Sequence, residues 1–210
     1  MEVKLQRERE RERVSVGGGK AFGKGGRGKV IFPKIYRGFD DSRIPDEKYF
    51  TELKRVTGNQ IIFGGNYFIK HLSNTPCFIV WDKDNSGNFA DCELAWTSFK
   101  TATRKFQYRW NGMLQENMKQ KEFRIHPTQK PVALYQWLLK NYAKPGDRIL
   151  DTHGGSCSLA IACDIMGFDA EIYEIDKDYY EAAVDRFNRH KQQTVLFEPQ
   201  WKAISFFARE

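Results

Sequence analysis

The chain has 210 residues, of which 40% are hydrophobic, 14% aromatic and 29% charged, with a formal net charge of +7. That length suits one domain with a substantial core, and the aromatic content argues against wholesale disorder. No apolar run approaches the roughly 18–20 residues of a membrane span, and Met1 to Gln6 lead into alternating Arg and Glu instead of an apolar h-region, so neither a membrane partner nor a secretory signal is expected.

The positive charge is unevenly spread. Residues 1–30 hold nine Lys/Arg against four Glu, whereas the rest of the chain is only mildly basic. A basic arm on a near-neutral body suits an anionic partner such as nucleic acid, although basic tails are also often simply solvated. The stretch Gly17 to Lys29 is glycine-rich and reads as a loop; no Ser or Thr follows a Gly-Lys pair, so it lacks the spacing of a phosphate-binding loop. Cys77, Cys92, Cys157 and Cys163 form no C-x-x-C pair and lie among apolar residues. They read as buried free thiols of a reducing, cytoplasmic compartment, and no metal site is expected.

Regular structure is expected from Pro45 onward. Pro45-Asp46-Glu47 opens a helix with Tyr49, Phe50, Leu53 and Val56 on one face. Ile61-Ile62-Phe63 is a short buried strand ending at Gly64-Gly65, and Phe78 to Trp81 is a second one, closed by Asp82 to Asn85. Residues 86–124, with Trp96, Phe99, Phe106, Tyr108 and Trp110, read as strands and loops with one wet face. His126-Pro127 is expected to start a helix whose apolar positions are Val132, Leu134, Leu138, Leu139 and Tyr142. The strand Arg148–Asp151, the loop Thr152–Ser158, a helix Leu159–Met166 ended by Gly167, the strand Glu171–Glu174 and an amphipathic helix Asp178–His190 follow, with Val195-Leu196-Phe197 as a last strand. Strands alternating with helices in this way imply an α/β, doubly wound sheet.

The segment from Arg148 to Glu174 carries the chemistry. A buried strand ends in Asp151, a glycine-rich turn follows, and a helix N-terminus comes next, which brings backbone N–H groups and a carboxylate to the C-terminal edge of a parallel sheet. Glu174 ends the following strand, 19 residues beyond Gly155, a spacing suited to accepting hydrogen bonds from ribose hydroxyls. The unit reads as a holder of an adenosine-containing cofactor, and the absence of G-x-G-x-x-G argues against a dinucleotide.

His126-Pro127-Thr128-Gln129-Lys130-Pro131, then Ile149-Leu150-Asp151-Thr152-His153-Gly154-Gly155-Ser156, then Tyr173-Glu174-Ile175-Asp176 and Tyr179-Tyr180 form a series that resembles the amino-methylating DNA methyltransferases, in the permuted order with cofactor motifs C-terminal to the catalytic half. Asn59 to Phe68 and Val80 to Lys83 resemble that family's middle strands, and the similarity runs from about Gly17 to Asn188. The resemblance implies a Rossmann-like methyltransferase fold of class α/β, its sheet mostly parallel with helices on both faces and incomplete at the N-terminus. It implies a basic, glycine-rich arm over 1–30 and a methyltransferase domain over 31–210, in which 31–124 is a catalytic-half remnant facing DNA and 125–210 the cofactor-binding half.

What the family resemblance implies for function is methyl transfer from S-adenosylmethionine to the exocyclic amine of a base in double-stranded DNA, adenine N6 ahead of cytosine N4. Asp151, His153, Gly155 and Ser156 would line the methionine and ribose end of the cofactor, Glu174 would take the ribose hydroxyls, and Thr128, Gln129 and Lys130 would approach the methionine carboxylate and amine. Cys157 stands where many members of that family have a third glycine. The family's catalytic signature, an Asp or Ser followed by two prolines and an aromatic, is expected before the glycine-rich loop, and no Pro-Pro-Tyr occurs anywhere in these residues. No catalytic residue is therefore assigned. An inactive, shortened relative that binds cofactor or DNA, or that works with a partner supplying the missing strand, is the rival reading; a homodimer and a restriction endonuclease partner remain open.

Overall fold

Asp46 fixes where the first helix starts. In the computed structural model its Oδ1 accepts the Tyr49 N–H at 2.9 Å, so helix α1 covers Glu47–Val56. Glu47 in its first turn and Lys54 and Arg55 in its last suit the helix dipole. Of the four residues expected on its apolar face only Phe50 is buried, while Val56 is 52% exposed. The structure describes residues 45–85, 90–111, 114–194 and 204–208. All belong to the second of two units, Met1–Gly38 and Phe39–Glu210. The basic arm and the strand expected at Val195–Phe197 lie outside the described residues.

The strands β1 (Ile61–Phe63), β2 (Phe78–Asp82), β3 (Cys92–Thr97) and β4 (Arg104–Gln107) form one sheet in the order β1-β3-β2-β4. β1 and β2 run antiparallel to β3, and β4 runs parallel to β2. A short hairpin, β5 (Trp110–Asn111) with β6 (Leu114–Gln115), follows. Helix α2 (Val132–Tyr142) leads to a fully parallel sheet, β7-β8-β9, built from Arg148–Asp151, Asp169–Glu174 and Ile204–Ala208. Helix α3 (Ser158–Met166) connects β7 to β8, and α4 (Lys177–Thr194) follows β8. The class is the expected Rossmann-like α/β. Its parallel pairing is concentrated in β7-β8-β9 and β2-β4, because the connection from β2 to β3 is too short for a crossover and returns the chain antiparallel.

Two apolar clusters share α2. Ile79, Trp81, Ala95 and Trp110 pack with Leu134 and Leu138, while Leu139 packs with Ala160, Cys163, Ile172 and Phe187 of the parallel sheet and its helices. Trp96 and Trp110 are both buried, and their indole N–H groups donate to Ser73 O and Gln129 O, each at 2.8 Å. They are core residues on the covered side of these strands. Cys77, Cys157 and Cys163 are buried free thiols, whereas Cys92 is exposed. Strand β9 went unforeseen: Phe207 stacks on Tyr173 at 5.0 Å beside the β8 register that holds it. Helix α4 outruns its expected end at His190, since His190 and Lys191 both bond Asp164 of α3, at 3.0 and 2.6 Å. Among the described residues no helix is long and apolar enough to cross a membrane.

Candidate functional site

Parallel pairing of β7 with β8 brings their C-terminal ends, Asp151 and Glu174, to one edge. Between them the loop is held by its own backbone. Asp151 Oδ1 accepts the His153 N–H at 3.0 Å, Tyr173 O accepts the Gly154 N–H at 2.7 Å, and Glu174 Oε2 accepts the Gly155 N–H at 2.7 Å. The other Glu174 oxygen accepts the Asp176 N–H at 2.9 Å, and Asp176 in turn caps α4 through the Asp178 and Tyr179 N–H groups. Glu174 thus fixes both the glycine loop and the start of α4. Burial pushes the Asp151 carboxyl above the usual carboxylate range, against the opposing pull of the His153 N–H and of Lys130.

Each small residue of the loop has its own reason. A Cβ on Gly154 would sit 2.4 Å from Ile172 Cγ2, so the loop can lie on β8 only with glycine there. Gly155 has φ +52° and Cys157 φ +59°, both in the left-handed region. Cys157 is the residue immediately before α3, and it is buried with its thiol pushed well above the usual value by that burial.

The His126–Pro131 segment is a strap, not the start of a helix. His126 O accepts the Gln129 N–H at 3.2 Å, and α2 begins only after Pro131. Proline biases the preceding residue away from helical geometry, which acts on both His126 and Lys130. The His126 ring is buried, lies edge-on to Tyr179 at 4.3 Å and faces Gly155, whose Cβ would meet it at 3.7 Å. Its Nδ1 accepts the Thr128 N–H, which puts the ring proton on Nε2, and burial holds its pKa below the ordinary value. Thr128 is exposed and its hydroxyl also meets His126 Nδ1, at 3.0 Å. Gln129 is buried; its Oε1 accepts the Ile125 N–H and its Nε2 reaches Phe123 O. Lys130 lies 4.7 Å over the Phe63 ring and 3.5 Å from Glu93, whose carboxyl sits below its usual range because Lys130 and Lys83 outweigh the effect of burial. The structure therefore gathers the strap, the loop and the end of β8 around Gly155, while the Gln129 amide is spent on the backbone of Phe123 and Ile125 just before the strap.

Ser156 depends on a residue that sequence reasoning passed over. Arg186 of α4 donates to Ser156 O at 2.6 Å, to Ser158 Oγ at 2.9 Å and to Glu122 Oε2 at 2.7 Å. Glu122 Oε1 accepts the Val132 N–H at the start of α2. One buried ion pair thus ties the glycine loop, α2 and α4 together. A signal existed: Arg186 stands three residues after Ala183 and seven after Tyr179, on the helix face that Tyr179, Ala183 and Phe187 bury. On the outer side the exposed His153 accepts or donates at Thr152 Oγ1, 2.9 Å away, and the Tyr49 hydroxyl of α1 meets the same oxygen at 2.8 Å. Among the described residues no cluster could hold a metal ion.

The family model described as DNA methylase, of the N6/N4 type, matches residues 80–185, half of the chain. The chain belongs to the DNA methylase family. The Type II methyltransferase M.HpaI of Haemophilus parainfluenzae is 36% identical over 63 residues, a match covering 30% of this chain and 20% of that protein. The chain thus spans about a fifth of the length of that curated relative. The crystal structure of the M1.HpyAVI-SAM complex is similar with a TM-score of 0.50 at 24% identity, over 68% of this chain and 83% of that one. That likeness is one of fold.

Proposed function

We propose that this DNA methylase family chain binds S-adenosylmethionine at the ends of β7 and β8 and serves methyl transfer to an exocyclic amine of duplex DNA, adenine N6. The observation that carries the reading is the Glu174 carboxylate, which accepts the Gly155 N–H and the N–H of Asp176, the residue before α4, while ending its strand at the loop. Each carboxylate oxygen keeps a second acceptor site for a ribose hydroxyl. The residues fit the group. Asp151 is a buried carboxyl held by a backbone N–H, suited to a cationic amine, and Lys130 lies near enough to act on it. Thr128 is exposed at the strap.

When bound, the cofactor supplies a sulfonium methyl. Passing that methyl to an exocyclic nitrogen would leave a neutral thioether and release the nitrogen's proton to water. The protein's task is alignment, worth about 7–11 kcal/mol in well-oriented reactions. The residues that would align the amine, an Asp or Ser with Pro-Pro-aromatic, do not occur in this sequence. We therefore expect these 210 residues alone to bind cofactor and methylate DNA at or near background. Calorimetric titration with S-adenosylmethionine tests the reading. Glu174→Ala should weaken binding by about 1–3 kcal/mol, the worth of lost hydrogen bonds to a charged group. Unchanged affinity in that variant overturns the site, and robust tritium-methyl transfer to unmethylated DNA by the unaided chain overturns the expected silence.

A further inference from the structure

Tyr49 joins helix α1 to the glycine loop across 103 residues of sequence. Its own place is fixed twice. Asp46 caps the Tyr49 N–H at 2.9 Å, and the next residue, Phe50, is only 2% exposed and stacks on the His71 ring at 5.1 Å. A side chain on a first turn seated in this way is a rigid post. From it the hydroxyl meets Thr152 Oγ1 at 2.8 Å, and Thr152 Oγ1 meets His153 Nδ1 at 2.9 Å. The Tyr49 and His153 rings also pack edge-on, with centroids 5.7 Å apart. The bonds to Asp151, Tyr173 and Glu174 hold the loop through its backbone N–H groups, so they leave the His153 ring to this second set of contacts.

Proton counting gives the line of hydrogen bonds a direction. Among the described residues the Thr152 hydroxyl has no other partner, so it satisfies both contacts by accepting from one and donating to the other. Either Tyr49 donates to Thr152 and Thr152 to Nδ1, or Nδ1–H donates to Thr152 and Thr152 to Tyr49. A phenol, with a pKa of about 10, is a far better donor than an aliphatic hydroxyl. An imidazole nitrogen is a better acceptor than a phenolic oxygen. Both preferences run the line from Tyr49 to His153, and the hydrogen bond accepted at Nδ1 leaves the ring proton on Nε2.

We infer that Tyr49 is a positioning residue for cofactor binding: acting through Thr152, it holds His153 in one ring orientation as an Nε2–H donor for the carboxylate of the cofactor. The inference rests on the proposed S-adenosylmethionine site, in which His153 belongs to the methionine end of the loop. His153 is exposed, and an exposed ring that is free to turn must be ordered when it binds, at the expense of affinity. Thr152 is β-branched and has few rotamers, so one bond from Tyr49 suffices to select the rotamer that sets Oγ1 against the imidazole. The effect of Tyr49 on the cofactor thus passes through the Thr152 hydroxyl, as a support that preorganises the group in contact.

The test uses the full chain and four variants: Tyr49→Phe, Thr152→Val, Thr152→Ser and the double Tyr49→Phe/Thr152→Val. Calorimetric titration with S-adenosylmethionine should show affinity lowered about threefold to tenfold in Tyr49→Phe, the worth of one hydrogen bond, and at least as much in Thr152→Val. The double variant should bind no more weakly than Thr152→Val alone, because Tyr49 acts through that hydroxyl. Thr152→Ser keeps the hydroxyl and should recover most of the affinity. Nitrogen-15 NMR of the cofactor-free parent, labelled at histidine and with His153 identified by its loss in His153→Asn, should show the proton on Nε2 and none on Nδ1. Thermal melts verify that each variant is folded. A proton on Nδ1, additive losses in the double variant, or a melting temperature that falls in Tyr49→Phe while affinity stays at the parent's each overturns the inference. A parent that does not bind S-adenosylmethionine overturns the proposed function and this inference with it; parent binding that is indifferent to Tyr49→Phe leaves the proposed function standing and sinks the inference alone.

Discussion

Replacing Arg186 with Met tests whether one buried ion pair assembles the site. The guanidinium makes three hydrogen bonds at 2.6–2.9 Å, and the side chains of Arg186 and Glu122 are only 11% and 21% exposed. Methionine keeps most of the apolar stem but leaves the Glu122 carboxylate buried without its cation. Breaking such a pair from one side costs about 3–5 kcal/mol, and at 2–4 °C per kcal/mol for a domain of this size the melting temperature should fall by roughly 6–20 °C. The deficit should depend on pH. Burial already holds the Glu122 carboxyl above its usual range, with Arg186 pulling it back. Without Arg186 the folded-state pKa rises further above the unfolded value. A raised pKa means that stability is fully present below the unfolded pKa and is lost as pH rises through the folded one. Arg186→Met should therefore approach the parent toward acid pH and lag increasingly as pH rises, and adding Glu122→Gln should recover part of the loss at neutral pH. Thermal melts across pH of the parent, both single variants and the double variant decide the matter. A deficit that is the same at every pH, or one below about 1 kcal/mol, refutes the reasoning.

Gly154→Ala should destabilise by about 1–3 kcal/mol, since its Cβ would collide with Ile172 Cγ2 and approach Tyr173 O at 3.2 Å; a denaturant midpoint equal to the parent's would show that the loop lifts freely off β8. Cys157→Gly should be more stable than Cys157→Ala, because release from the left-handed region is worth about 1–2 kcal/mol against about 0.8 kcal/mol for the extra buried methyl, and paired urea titrations of the two variants read that difference directly. If the basic character of the chain serves phosphate contact, affinity for duplex DNA should fall steeply between low and moderate salt; a flat salt dependence in filter binding removes that role.

Local signals made half of the site legible. The apolar run Ile149-Leu150 ending in Asp151, the glycines after it and the acid at Glu174 are all contained in one strand–turn–helix–strand unit, and their hydrogen bonds close within that unit. Asp46 as a cap and Gly167 as a helix end, with φ +74°, are local for the same reason. Proline is favoured in the first turn of a helix as well as before it, so the local sequence does not separate helix from strap; the choice at His126–Pro131 is made by Gln129 anchoring Phe123 and Ile125 and by Glu122 receiving the Val132 N–H.

What tertiary structure alone decided has no local signature. Arg186 and Glu122 are 64 residues apart, and each is an ordinary surface residue type until burial forces them to pair. Trp96 and Trp110 look equally suited to a wet face or a core, and partners at Ser73 and Gln129 settle them inside. β9 acquires its strand character from β8 beside it. Periodicity and turn chemistry act through neighbours along the chain, so they determine elements and the loop between β7 and β8. Desolvation acts through neighbours in space, and only the packed fold determines which charges must pair and which aromatics are core.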